Sequence, residues 1–104
     1  MNSSGYITIK NEDEYLCVYV RFEANLNELG DLLVDFINKS KECSNQEFVE
    51  DITACFASVY SNTASFEYCY HIDLDCSTFS YYITKINYQS AKYNLYDIPI
   101  NWKE

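Results

Sequence analysis

Residues 15–37, YLCVYVRFEANLNELGDLLVDFI, contain the change of period on which the fold turns. Over Tyr15–Glu23 the apolar side chains alternate. Leu16, Val18, Val20 and Phe22 fall on one side, and Tyr15, Cys17, Tyr19 and Arg21 on the other. A period of two is the repeat of a strand with one buried face. From Leu26 the step lengthens to three and four, through Leu29, Leu32, Leu33, Phe36 and Ile37, which is the repeat of an amphipathic helix. Asn25 stands at the N-cap position with Glu28 three residues on, and Lys39 and Lys41 suit the negative C-terminal end. Gly30, inside this helix, costs about 1 kcal/mol relative to Ala and permits close packing.

Working outward, Tyr6–Lys10 alternates with Ile7 and Ile9 on one face, and Asn11–Glu14 is a polar turn. The first two strands therefore read as a β-hairpin. Downstream, Ser44 with Glu47 is a second capping-box pattern. Phe48, Val49, Ile52, Cys55, Phe56 and Val59 then mark a second helix that stops near Ser61 and Asn62. The period returns to two from Ser65. Phe66, Tyr68, Tyr70, Ile72 and Leu74 share one face, and Glu67, Cys69, His71, Asp73 and Asp75 the other. Cys76–Thr78 reads as a turn and Phe79–Tyr88 as a further strand, while Leu95–Ile100 is a candidate edge strand where Pro99 is tolerated. The expectation is one α+β domain spanning residues 1–104. Its antiparallel sheet has four to five strands, in the order ββααββ, with two helices packed on one face.

The composition narrows the classes of function. Sixteen acids against seven bases and one His leave a formal net charge of −9 over 104 residues. Such a chain repels phosphate backbones and anionic membrane surfaces, so neither nucleic acid nor membrane is expected as a direct partner. Gly occurs twice and Pro once, which excludes Gly-rich phosphate-binding loops. Tyr occurs 11 times and Phe 6 times; Tyr supplies large contact area at protein interfaces for little entropy. Five cysteines, an odd number without CxxC spacing, follow an N-terminus that has no basic start and no apolar core. The longest strongly apolar run, Leu16–Val20, is too short to cross a bilayer. A reduced, cytoplasmic setting is the simplest expectation.

Two groups of residues invite a chemical reading. Glu67, Cys69, His71, Asp73 and Asp75 point the same way along one strand at intervals of about 6.5–7 Å, and include ligand types for zinc or a hard divalent ion. A small metal-dependent enzyme using His71, Asp73 and Asp75 is one reading; the solvent face of an antiparallel strand is the plainer one. His71 is the one side chain suited to general-base work, and nothing in the sequence marks a nucleophile beside it. Cysteine spacings of 26, 12, 14 and 7 residues match no compact zinc motif, although Cys17 and Cys69 lie on the polar faces of opposite hairpins, where they could meet.

The second group is acidic. Glu28, Asp31 and Asp35 fall at i, i+3 and i+7 in one stripe, and Glu47, Glu50 and Asp51 cluster in the first turn and a half of the second helix. Glu12, Asp13 and Glu14 gather in the hairpin turn. Carboxylates favour helix N-termini, so part of this pattern is structural. Asp35 with Lys39 is the clear compensating pair on the first helix. Carboxylates repeating at about 5–10 Å along a helix approximate the spacing of phosphates on a nucleic-acid strand. The expected partner is therefore a larger protein with a basic surface, such as a nuclease or another nucleic-acid-processing enzyme. Tyr15 and Tyr19, opposite the Leu/Val face, are the expected exposed anchors. No cofactor is expected. The function that follows is occlusion of a basic surface, the mode of anti-CRISPR and anti-restriction proteins; an immunity protein against a toxin nuclease is physically almost the same molecule.

Overall fold

The computed structural model describes residues 3–20, 23–56, 66–84 and 89–103. The hairpin pairs β1 (Gly5–Asn11) with β2 (Glu14–Val20) in antiparallel register, from Gly5 opposite Val20 to Asn11 opposite Glu14. Glu12 and Asp13, the two central turn residues, both have positive φ, 53° and 66°. This left-handed two-residue turn matches the twist of a hairpin, and it is achieved here without glycine. The amides of Glu12 and Asp13 donate to the Asp75 carboxylate at 2.8 and 3.4 Å, which braces the turn from outside.

A single π-helical turn, Leu26–Gly30, leads into α1 (Asp31–Lys39). Asn25 makes no side-chain bond to the free amides; its Nδ2 donates instead to the Glu28 carboxylate at 3.3 Å. Helix α2 (Asn45–Phe56) begins as its sequence predicts. The Ser44 Oγ accepts from the Glu47 amide at 3.2 Å, and the Ser44 hydroxyl donates to the Glu47 carboxylate at 3.1 Å. The predicted continuation through Val59 to Ser61 and Asn62 lies outside the described residues, as do the end of the second strand at Arg21 and Phe22 and the far end of the strand predicted through Tyr88.

Three more strands follow: β3 (Tyr68–Asp73), β4 (Thr78–Ile83) and β5 (Ser90–Asn94). The sheet order is β2-β1-β3-β4-β5. Every neighbouring pair is antiparallel except β1 with β3, which run parallel with Ile7 opposite Tyr70. The sheet is thus mixed, correcting the antiparallel expectation, and the order of elements is ββααβββ. The cause is the helix pair. The start of α2 packs near the hairpin turn, where Gln46 and Val49 face Tyr15 and Leu16. Its end, at Cys55 and Phe56, packs near Val20. Two passes over the sheet therefore return the chain to the end at which β2 finished. A strand starting there runs opposite to β2, and beside β1 that direction is parallel. The fifth strand is Ser90–Asn94, and the predicted edge strand Leu95–Ile100 is instead part of a turn-rich segment.

One face of the sheet carries the core. Ile7, Ile9, Val18, Tyr70, Ile72, Phe79 and Tyr81 meet Leu29, Leu33, Ile37, Phe48 and Ile52 from the helical layer. Leu95 and Trp102 complete it from the C-terminal segment. Trp102 is 3% exposed and packs edge-to-face on Phe79 and Tyr81. No helix among the described residues is long and apolar enough to cross a membrane.

Candidate functional site

The π-turn and α1 set Glu28, Asp31 and Asp35 on one side, and Glu23, which precedes the π-turn, joins them. These four carboxylates line one groove of about 600 Å³, together with Leu29, Leu32 and Phe56. Leu32 is 59% exposed, the most exposed large apolar side chain of the helices. The predicted stripe is therefore brought together, but its charge is partly spent. Lys103 pairs with Asp31 at 2.9 Å, and Lys39 with Asp35 at 2.9 Å. Glu23 and Glu28 have no ion-pair partner among the described residues, and Glu28 holds only the Asn25 amide. Two carboxylates beside an exposed leucine are the uncompensated part of the groove. Glu23 and Leu32 were missed from sequence. Leu32 follows the apolar step of its helix and looks like core, and Glu23 follows the strand alternation.

The remaining predicted residues lie elsewhere. Glu47, Glu50 and Asp51 stand on the exposed first half of α2 and do not line the groove. Glu47 caps the helix, and Glu50 accepts from Gln46 Nε2 at 2.9 Å. Tyr15, 67% exposed, sits at the hairpin end beside Gln46 and Val49. Tyr19 is half-buried against Phe66, with ring centroids 5.5 Å apart. It belongs to the sheet face opposite the helices, so the two tyrosines and the helical acids do not form one surface.

That opposite face carries Cys69, His71 and Asp73, as the alternation predicts, but their tasks differ from the metal reading. The Asp73 carboxylate accepts from the Cys76 amide at 2.9 Å, and this bond holds it below the usual carboxylate range. Asp75 accepts from the amides of Glu12 and Asp13 and from Lys10 Nζ at 2.9 Å, which lowers its pKa in the same way. Both carboxylates brace turns. No group of three His, Cys, Asp or Glu side chains suited to a metal ion occurs among the described residues.

All five cysteines are free thiols. Cys17 and Cys69 share this face, yet β1 lies between their strands: Cys17 is opposite Thr8, and Cys69 opposite Tyr6. Burial pushes the Cys69 thiol up, partly offset by the Tyr6 phenol hydrogen-bonded to it. A nucleophilic thiol needs the reverse shift. The same bond, with burial, pushes Tyr6 up to about 12.

Two rows of side chains cross the five strands here. Cys17, Thr8, His71, Ser80 and Lys92 form one, and Tyr19, Tyr6, Cys69, Tyr82 and Ser90 the other. Comparison with protein-family models, with curated proteins and with solved structures finds no match to this chain.

Proposed function

We propose that this protein is a small, non-catalytic inhibitor that binds the basic nucleic-acid-binding surface of a larger enzyme, in a reduced cytoplasmic setting suited to five free thiols. The observation that supports the reading is the groove at α1, where the exposed Leu32 stands among four carboxylates. Charge alone steers a basic partner and speeds encounter, but exposed charges are screened and add little affinity. An apolar side chain buried on contact contributes roughly 1.5–3 kcal/mol, enough to turn an encounter into a complex. The interaction expected has Leu32 at its centre, Glu23 and Glu28 against lysines or arginines, and the Asp31–Lys103 and Asp35–Lys39 pairs at the rim.

The test uses the immobilised protein, the variants Leu32→Asp and Glu23→Lys/Glu28→Lys, and the triple reversal of Glu28, Asp31 and Asp35 to Lys, each exposed to candidate host lysate. A nucleic-acid-processing enzyme retained by the wild type, displaced by DNA or RNA, and weakened at least tenfold by each variant is the expected result. Retention unaffected by the variants, or by competing nucleic acid, refutes the proposal.

A further inference from the structure

The face of the sheet opposite the helices holds a depression of about 540 Å³, within the size range of small-molecule sites. Among the described residues its lining includes Tyr6, His71, Ser80, Tyr82 and Lys92 and no carboxylate, whereas the groove at α1 is lined by four and the cavity at the hairpin by Glu14. On a chain of net charge −9, this is where a cation and neutral donors are gathered without acids.

His71, Ser80 and Lys92 are cross-strand neighbours on three adjacent strands, so their side chains are about 5 Å apart in sequence across the sheet. His71 is held in place. Its Nδ1 lies 2.6 Å from Thr8 Oγ1, and that hydroxyl also reaches the Tyr70 carbonyl at 3.3 Å. A hydroxyl has one proton, so both bonds form together when Nδ1–H donates to Thr8 and Thr8 donates onward to the carbonyl. The other ring nitrogen, Nε2, has no partner among the described residues, and it carries a proton of its own when the ring is the imidazolium. In the neighbouring row Tyr82, 40% exposed, offers ring surface, and Tyr6 is backed edge-on by Phe66 at 5.3 Å.

We propose that this depression binds a small aromatic oxyanion, with its phosphate or similar group on the Ser80 hydroxyl, Lys92 Nζ and the Nε2–H of His71 in its imidazolium form, and with its ring against Tyr82. In that form Nδ1–H donates to Thr8 while Nε2–H is free to donate to the anion. Charge-assisted donors converge on the anion, and the aromatic row supplies the apolar contact that bare phosphate cannot use. The site lies on the sheet face away from the groove at α1, and it stands or falls independently of the inhibitor reading.

Titration of the full chain with phenyl phosphate, inorganic phosphate and phenol, followed by amide and tyrosine-ring NMR signals, tests it. Phenyl phosphate is expected to shift Thr8, His71, Ser80, Lys92 and Tyr82 saturably and to bind at least fivefold more tightly than inorganic phosphate or phenol. Lys92→Glu, an exposed change on the edge strand, is expected to weaken it at least tenfold, as is His71→Ala. Absence of saturable shifts, equal affinity for inorganic phosphate, or indifference to Lys92→Glu in a folded variant overturns the assignment.

Discussion

Gly30 is in an ordinary right-handed helical conformation, φ −59° and ψ −46°, so on backbone grounds Ala belongs there and would gain about 1 kcal/mol of helix propensity. The surroundings oppose it. A Cβ built at Gly30 would lie 2.7 Å from Trp102 Cη2 and 3.3 Å from Tyr70 Oη. Carbon atoms in contact prefer about 3.5–4.0 Å, so the indole must move by nearly an ångström. It has little room to do so. The ring is wedged edge-to-face against Phe79 and Tyr81 at 5.8 and 5.6 Å, and its carbonyl accepts from the Tyr93 hydroxyl at 2.6 Å. Overpacking of this kind costs about 1–3 kcal/mol, so Gly30→Ala is expected to destabilise by roughly 1 kcal/mol net of the propensity gain. For a domain of this length that lowers Tm by about 4–8 °C. Urea unfolding followed by far-UV circular dichroism measures it. The decisive control is Trp102→Phe, which lacks Cη2. In that background Gly30→Ala should turn stabilising by several tenths of a kcal/mol, because the clash is gone and the propensity remains. A Gly30→Ala protein as stable as the wild type, or one destabilised equally in both backgrounds, refutes the argument.

Two further outcomes are expected. Tyr70→Phe removes the hydroxyl that donates to the Ala24 carbonyl at 2.6 Å and leaves a buried acceptor unmade, so urea unfolding should show a loss of about 1–2 kcal/mol; a loss below 0.3 would count against it. Asp75→Asn should lower stability at neutral pH. The amide bond from Glu12 and the contact with Lys10 depress the folded pKa of Asp75, so its contribution is present above the unfolded value, about 3.9, and is lost as pH falls towards the folded value. Urea midpoints at pH 7, 4 and 2.5 should therefore show the gap between the two proteins closing with acid, and a constant gap would contradict this account.

Local periodicity carried the hairpin, the helical turn from Leu26 into α1, the cap of α2 and the alternating faces of β3 and β4, because each depends on residues within ten or so positions of one another. It did not carry the opening of the first helix, where Asn25 makes no cap bond and a π-turn precedes α1. The rest of what it did not carry was long-range. Whether β3 docks beside β2 or β1 depends on which side of the hairpin the helix pair leaves free, and no local repeat encodes that. The docking itself depends on Gly5, where a Cβ would collide with the Tyr68 carbonyl oxygen, and nothing in the local pattern around Gly5 shows that. Trp102 was hidden for a related reason. It lies in an aperiodic segment, and it enters the core only because Gly30, seventy-two positions earlier, leaves it space. The acidic stripe was legible as a helical spacing, but its neutralisation by Lys103 was not, since that lysine arrives with Trp102 on the same segment.

The layering that buries the core also separates two surfaces of different chemistry. Helical periodicity gathers carboxylates around Leu32 on the outside of α1, while strand alternation gathers His71, Ser80 and Lys92 on the far side of the sheet. A helix layer packed on a sheet keeps these surfaces about 10 Å apart or more. That exceeds the Debye length of about 8 Å at physiological ionic strength, so the charges of one surface are largely screened from the other. Glu23→Lys/Glu28→Lys should consequently leave phenyl phosphate affinity within about twofold at 0.15 M salt, and Lys92→Glu should leave capture of the basic enzyme unchanged. At 0.01 M salt the screening length grows to about 30 Å, and removing the groove's negative charge should then tighten phenyl phosphate binding. Strong coupling at physiological salt would require contact between the surfaces that the sheet forbids, and would show that the two belong to one site.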